Sequence, residues 1–154
     1  MRMAYVTREA RQELLDTVAE ATDDIGVALA ALGAAYEQLD ESSADRLEAE
    51  LFRPVQLAYG RAQRTHDAFA ERHGLPAGTF APASAGLPSQ GVRGFLDNAA
   101  EATGMAESAL ADLQDSMRPV EIGDAELRSG LAQVRELLGE LPERARQFMR
   151  TFGR

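Results

Sequence analysis

Apolar side chains recur along four segments of the chain at spacings that alternate between three and four residues. Such spacing places the apolar residues on one side of an α-helix, so each segment predicts a helix packed against others. In the first segment the inward positions are Leu14, Val18, Ala21, Ile25, Ala28, Leu32, Ala35 and Leu39. In the last they are Leu127, Leu131, Val134, Leu138, Leu141, Ala145, Phe148 and Phe152.

The first half of the chain predicts a helical hairpin over residues 7–73. Helix one begins near Thr7, a residue type that favours helix N-termini, and helix two covers residues 44–73 after a polar break. Pro54 lies inside helix two. It predicts a kink, or an opened hydrogen bond near Glu50, because proline has no N–H to donate.

The second half predicts a second hairpin over residues 92–153. Helix three covers residues 92–117, a turn follows around Pro119, and Asp124 is placed to cap helix four. Pro142 interrupts helix four without changing the phase of its apolar positions, so a second kink is expected there.

Residues 74–91 connect the two predicted hairpins. The segment GLPAGTFAPASAGLPSQG holds three prolines and four glycines and is therefore not helical. Two interpretations are open: an ordered segment with Phe80 and Leu87 packed on the helices, or a mobile one.

The two hairpins resemble each other in sequence. When residues 14–32 are shifted by 81 positions, ten of nineteen match residues 95–113, and the block LD-x-x-AEAT occurs in both. We therefore predict an all-α fold: a four-helix up-down bundle formed by two tandem, internally duplicated hairpins within a single domain, residues 1–154.

Composition removes several classes of function. The 154 residues include no Cys and no Lys, which excludes thiol and Schiff-base chemistry. A net charge of −9 disfavours nucleic acid and anionic membranes as partners. No signal peptide or membrane-spanning segment is evident, so a cytoplasmic location is expected. The sequence predicts no metal site and no cofactor.

A mismatch between the halves gives the strongest functional indication. Five positions of helix one that should face outward carry apolar or small residues: Gly26, Val27, Ala30, Gly33 and Ala34. The matching positions of the first two in helix three are the polar residues Glu107 and Ser108. A helix that is apolar on every side is usually covered on every side. We therefore predict a protein–protein contact through helix one, most simply a homo-oligomer, unless the connector covers this face.

Other residues suggest chemistry less strongly. Asp16, Glu20, Asp97 and Glu101 recur in both halves but are expected to face solvent. His66 and His73 are seven residues apart on the inward side of helix two, where they are either packed in the core or available as ligands.

Arg61 and His66 fit the Arg-x4–6-His spacing, which is similar to that of HEPN ribonucleases, themselves helical bundles. That resemblance implies a pair of side chains acting in RNA cleavage, but Ala62 stands where a polar residue often follows the arginine. The favoured function is a non-enzymatic helical interaction module. The alternative is a ligand- or metal-binding bundle, or a small hydrolase, that uses Arg61, His66 and His73.

Overall fold

The computed structural model describes residues 2–80 and 83–152, and these residues form helices and connecting segments without any strand. The predicted all-α class is confirmed. In chain order the α-helices are α1 (Arg2–Glu37), α2 (Glu41–Leu47), α3 (Arg53–Arg72), α4 (Gly91–Asp115), α5 (Arg118–Glu121), α6 (Ala125–Gly139) and α7 (Leu141–Phe152). A π-helical segment, Glu48–Phe52, joins α2 to α3, and a 3-10 turn, Pro88–Gln90, precedes α4.

The first two predicted helix starts are both too late. Helix α1 begins at Arg2 rather than near Thr7, because no glycine or proline occurs in residues 2–25 to interrupt it. Helix α2 begins at Glu41 rather than at residue 44. Its cap is Asp40, whose carboxylate accepts a hydrogen bond of 2.7 Å from the Ser43 N–H.

Pro54 widens the helix instead of ending it. Because Pro54 has no N–H, the Glu50 carbonyl loses its usual α-helical donor. The backbone responds with the π segment, in which the Arg53 N–H donates to the Glu48 carbonyl five residues earlier. The opening predicted near Glu50 is confirmed, and α2, the π segment and α3 run on without an intervening loop.

The connector is partly packed on the helices. It leaves α3 through Gly74, whose φ of +65° suits glycine, and the Leu75 N–H closes the helix by donating to the Ala70 carbonyl at 2.8 Å. Of the two side chains that the ordered interpretation packs on the helices, Phe80 is half-buried, whereas Leu87 is 72% exposed. Ala85 takes the position against the core instead.

The second half follows the prediction with small changes. Helix α4 ends at Asp115, and the expected turn contains the short helix α5. The Asp124 carboxylate caps α6 as predicted, accepting from the Leu127 N–H at 2.8 Å. Near Pro142 the helix divides into α6 and α7, which leaves the proline in the first turn of α7, where its missing N–H has no cost. The predicted end of the hairpin at residue 153 lies outside the described residues.

Helix α1 packs most extensively on α4, and α3 packs on α6. Further contacts join α1 to α3 and α4 to both α6 and α7. The buried apolar side chains form one continuous cluster that includes all the predicted inward positions of helix one except Leu39, which is half-buried. The repeated block has matching surroundings in both copies. Thr22 and Thr103 are buried, and their hydroxyls donate to carbonyls four residues earlier at 2.7 and 2.9 Å.

Candidate functional site

The five outward positions predicted on helix one spread over a wide arc of α1. Gly26 faces α3, since a Cβ placed there would lie 3.2 Å from a ring carbon of Tyr59. Gly33 has open space in front of it. Val27 is 39% exposed, while Ala30 and Ala34 are half-buried. The outermost part of α1 therefore carries small side chains, with Val27 on the flank that faces α4.

On that flank a groove of about 480 Å³ runs between α1, α4 and the connector. Its apolar lining comes from both helices and from one connector residue. We call it the α1/α4 groove and define it by Asp24, Val27, Ala31, Ser84, Ala85, Gly86, Gln90, Asn98, Glu101, Ala102 and Met105. Met105 is 55% exposed, so the groove presents apolar surface to solvent from both of its sides.

The rim of the α1/α4 groove is acidic. Asp24 and Glu101 line it, and both belong to the helix faces that bear the repeated carboxylates. Partial burial, together with the charges of Asp23 and Glu20, raises the pKa of the Asp24 carboxyl above its ordinary value. The charges of Asp23 and Glu20 therefore oppose ionisation of Asp24, and the groove is bordered by negative charge on the α1 side.

Leu87 projects next to this groove. Its neighbour Gly86 lines the groove, and its other neighbour, Pro88, accepts a 2.9 Å hydrogen bond from the Gln38 side chain just beyond the end of α1. This contact holds the connector against α1 and leaves the Leu87 side chain in solvent. An exposed leucine beside an apolar groove is the combination typical of a contact surface.

The residues of the alternative site contact different partners. His66 is buried, its Nδ1 is 2.9 Å from Asp67 Oδ1, and its ring meets Phe80 edge-on at 5.0 Å. His73 Nε2 lies 3.0 Å from Asp124 Oδ2. Arg61 instead lines a separate groove against α6. In residues 2–80 and 83–152, no group of three or more His, Cys, Asp or Glu side chains is placed to hold a metal ion.

Asp124 does more than cap α6. Arg72 donates to both of its carboxylate oxygens at 2.8 Å, from Nε and Nη2, and a third Arg72 nitrogen pairs with Glu126 at 2.8 Å. Although partial burial acts the other way, the hydrogen bonds from Arg72, the Leu127 N–H and His73 together hold the Asp124 pKa well below its usual range. Sequence reasoning missed Arg72 because 52 residues separate it from Asp124 and no local pattern relates them.

A second groove, of about 430 Å³, lies between α3 and α6. We call it the α3/α6 groove and define it by Arg61, Arg64, Thr65, Ala68, Arg72, Ala125, Glu126 and Ser129. The two helices approach closely beside it, because a Cβ on Gly130 would lie 2.7 Å from Thr65 Cγ2. Glycine at position 130 therefore sets the separation of the groove walls.

Comparisons of the chain with protein-family models, with curated proteins and with solved structures found no match. Across the described helices, none has both the length and the apolar composition needed to cross a bilayer.

Proposed function

We propose that this chain is a non-enzymatic helical interaction module that self-associates through the outer face of α1 and the α1/α4 groove. The observation that carries the proposal is the grouping of Val27, Leu87 and Met105, three exposed apolar side chains, around one groove. Small residues beside them, chiefly Ala30 and Ala34, would allow a second helix to approach closely.

A second copy of the chain is the proposed occupant because the surface holds both complementary parts. Leu87 projects, and the groove beside it is lined by apolar side chains. In a two-fold symmetric dimer each copy offers the same surface to the other, so the Leu87 of each would enter the groove of its partner. The contact would have to cover about 800 Å² on each copy to be stable.

The acidic rim gives this dimer a distinctive electrostatic behaviour. Two copies would bring Asp24 and Glu101 of each towards the same carboxylates of the other, and like charges oppose association. Added salt should therefore strengthen the dimer by screening, and so should mild acid, since the Asp24 pKa is already raised. A basic partner helix would show the opposite dependence on salt.

We also propose the architecture predicted from the sequence: two duplicated hairpins arranged as a four-helix up-down bundle in a single domain. The matching environments of Thr22 and Thr103 support it. So does the pattern of contacts, since α1 meets α3 within the first half of the chain as α4 meets α6 within the second.

Light scattering across a concentration series, together with native mass spectrometry, tests the self-association. Wild-type protein should form dimers, and Ala30→Arg or Leu87→Ser should shift it to monomers. Leu57→Ser is the matched control, because Leu57 is 55% exposed on α3 and does not line the α1/α4 groove. A wild-type monomer at high concentration would refute the proposal, as would equal loss of dimer in the Leu57 variant.

Sedimentation at two salt concentrations then separates the two kinds of occupant. The second-copy proposal expects a smaller dimer dissociation constant at about 0.5 M salt than at about 0.05 M, since the Debye length falls several-fold over that range. Dissociation by salt would instead indicate that the acidic rim pairs with positive charge.

A further inference from the structure

Three arginines of α3 lack partners. Most described arginine side chains donate to a carboxylate, a backbone carbonyl or a hydroxyl, as Arg72 and Arg135 do. Among the described residues, Arg53, Arg61 and Arg64 show no ion pair and no side-chain hydrogen bond. In a chain with 25 acidic and 16 basic residues, unpaired arginines are unexpected, because carboxylates are in excess.

Two of the three unpaired arginines share the α3/α6 groove. Arg61 and Arg64 line it together with Arg72, and the only carboxylate among the groove's defining residues is Glu126, which pairs with Arg72. Asp124 and Glu126 both pair with Arg72, so the two guanidinium groups without a paired carboxylate, those of Arg61 and Arg64, carry a charge of +2 in a protein of net charge −9. The groove is therefore opposite in sign to the protein as a whole.

Arg61 has an unsatisfied donor inside the protein. Its Nε is buried and has no hydrogen-bond acceptor. A buried donor left unpaired has a free-energy cost, and the half-exposed Arg61 side chain as a whole has no acceptor from the protein. The Arg64 guanidinium lies over Gly60. A Cβ on residue 60 would be 3.1 Å from Arg64 Nη1, so the glycine leaves room for this group to lie along the helix.

Hydroxyl groups complete the lining. The Thr65 hydroxyl donates to the Arg61 carbonyl at 2.7 Å, which fixes its position on the wall of the groove. The Ser129 oxygen accepts a long 3.4 Å contact from the Gln133 side chain, so its own O–H proton remains available to a ligand. The arginine forks and the Ser129 hydroxyl together suit an anion that has several acceptor oxygens.

We propose that the α3/α6 groove binds the phosphoryl group of a small anionic metabolite, with Arg61 and Arg64 as its direct ligands. A phosphate monoester carries close to two negative charges and three terminal oxygens, which match the local charge and the number of donors better than a single carboxylate does. The groove, at about 430 Å³, also has room for the organic part of such an ester. Arg72 is held by Asp124 and Glu126 and forms the border of the site.

This proposal is independent of the self-association, which concerns a different pair of helices. Its test is a titration of the full chain at low salt with inorganic phosphate and with pyrophosphate, followed by calorimetry and by amide chemical shifts. Wild-type protein should show one saturable site per chain. Arg61→Gln and Arg64→Gln should each weaken binding about tenfold or more, because each removes a charge-assisted pair of hydrogen bonds.

Arg53→Gln is the matched control, since it removes an unpaired arginine from the same helix but from a different groove. Its affinity should stay within about twofold of wild type, a change of less than 1 kcal/mol. Arg61→Lys keeps the charge but loses the arginine fork, and it should bind at an intermediate strength. Circular dichroism melting of each variant confirms that it is folded, and Arg64, at the surface, provides a test even if Arg61 variants unfold.

Three results would overturn the assignment. The first is the absence of saturable binding of either anion up to about 10 mM, which corresponds to an interaction weaker than roughly 3 kcal/mol. The second is a loss of affinity in Arg53→Gln equal to that in Arg61→Gln. The third is retention on vesicles containing phosphatidic acid without any binding of free pyrophosphate, which would identify a membrane headgroup as the source of the phosphate.

Discussion

The α1/α4 groove and the α3/α6 groove are similar in size and opposite in character. The first has an apolar lining and a carboxylate rim, whereas the second is lined by arginines and hydroxyls. The α1/α4 groove is bordered in part by the Gly- and Pro-rich connector. The walls of the α3/α6 groove are formed by two helices alone. One surface suits a protein contact and the other suits an anion.

The difference shows that net charge does not describe each surface of a protein. A charge of −9 indicated that phosphate-bearing partners are disfavoured, and that holds for binding spread over the whole surface. Locally, however, Arg61 has no acidic residue three or four positions away in the helix, so no neighbour in the same helix neutralises it. This local signal was present in the sequence, but helix pairing was needed to bring the α6 residues Glu126 and Ser129 beside it.

The largest expected effect comes from adding a methyl group at the point where α3 and α6 approach each other most closely along the α3/α6 groove. Gly130→Ala should lower the free energy of unfolding by about 1–3 kcal/mol, because the new Cβ would overlap the Thr65 side chain. Urea unfolding monitored by circular dichroism measures the change. Gly104→Ala, in α4, is the control: its Cβ would meet nothing within 4 Å, so it should not destabilise the protein. Equal effects of the two substitutions would contradict the close approach.

The next largest effect is expected at Asp124, whose carboxylate holds Arg72 at the border of the α3/α6 groove. Asp124→Asn should keep the helix cap but lose the charge-assisted bonds from Arg72 and His73, at a cost of about 1–2 kcal/mol at pH 7. The pKa of Asp124 is lowered by folding, so its contribution is present above the unfolded pKa of about 4 and is lost as the pH falls further.

Unfolding curves at several pH values between 7 and 2.5 measure this dependence. The difference between wild type and Asp124→Asn should shrink as the solution becomes acidic. A difference that stays constant over this range would mean that the charge of Asp124 contributes nothing.

A smaller effect distinguishes two glycines on the α1 side of the molecule. Gly33→Ala should raise stability by up to about 1 kcal/mol, since alanine favours helix and the space in front of Gly33 is open. Gly26→Ala should gain less or nothing, because its methyl group would press on the Tyr59 ring at 3.2 Å. Thermal melts of the two variants at a concentration where the protein is monomeric give the comparison. The reverse order would indicate that Gly26 does not face α3.

The smallest effect is expected at the acidic rim of the α1/α4 groove. Folding raises the Asp24 pKa, so the ionised carboxylate slightly destabilises the folded chain once the pH exceeds its unfolded pKa. Asp24→Asn should therefore increase stability at pH 7 by less than about 1 kcal/mol and have no effect near pH 3. Asp16→Asn, two turns earlier in α1 and exposed to solvent, serves as the comparison. A stabilisation that persists at pH 3 would rule out an electrostatic cause.

Local chemistry decided how much of the fold could be predicted. The π segment before Pro54, the division of the helix near Pro142 and the cap at Asp124 follow from single residues, and the sequence predicted a disturbance at each proline and the cap. The starts of α1 and α2 were missed because Thr7 and residues 41–43 are compatible with helix interiors as well as with caps.

The candidate sites were harder to predict, since each depends on contacts between distant segments. The run of small and apolar residues in α1 was evident in the sequence, but Met105 and Leu87, which lie at the same groove, are far along the chain. The position of His66 in the inward pattern correctly indicated burial, yet the aromatic ring it meets, Phe80, belongs to the connector.

The sparse packing of the connector has a consequence for how the molecule can be built. Of its described residues only Leu75 is fully buried, and Pro76–Thr79 are exposed. The contacts that hold the segments before and after the connector together are therefore mainly those between helices, above all those of α1 with α4. Two separately synthesised polypeptides, divided after residue 77, should consequently associate in solution and form the same structure. Such association would make the chain suitable as the basis of a split reporter.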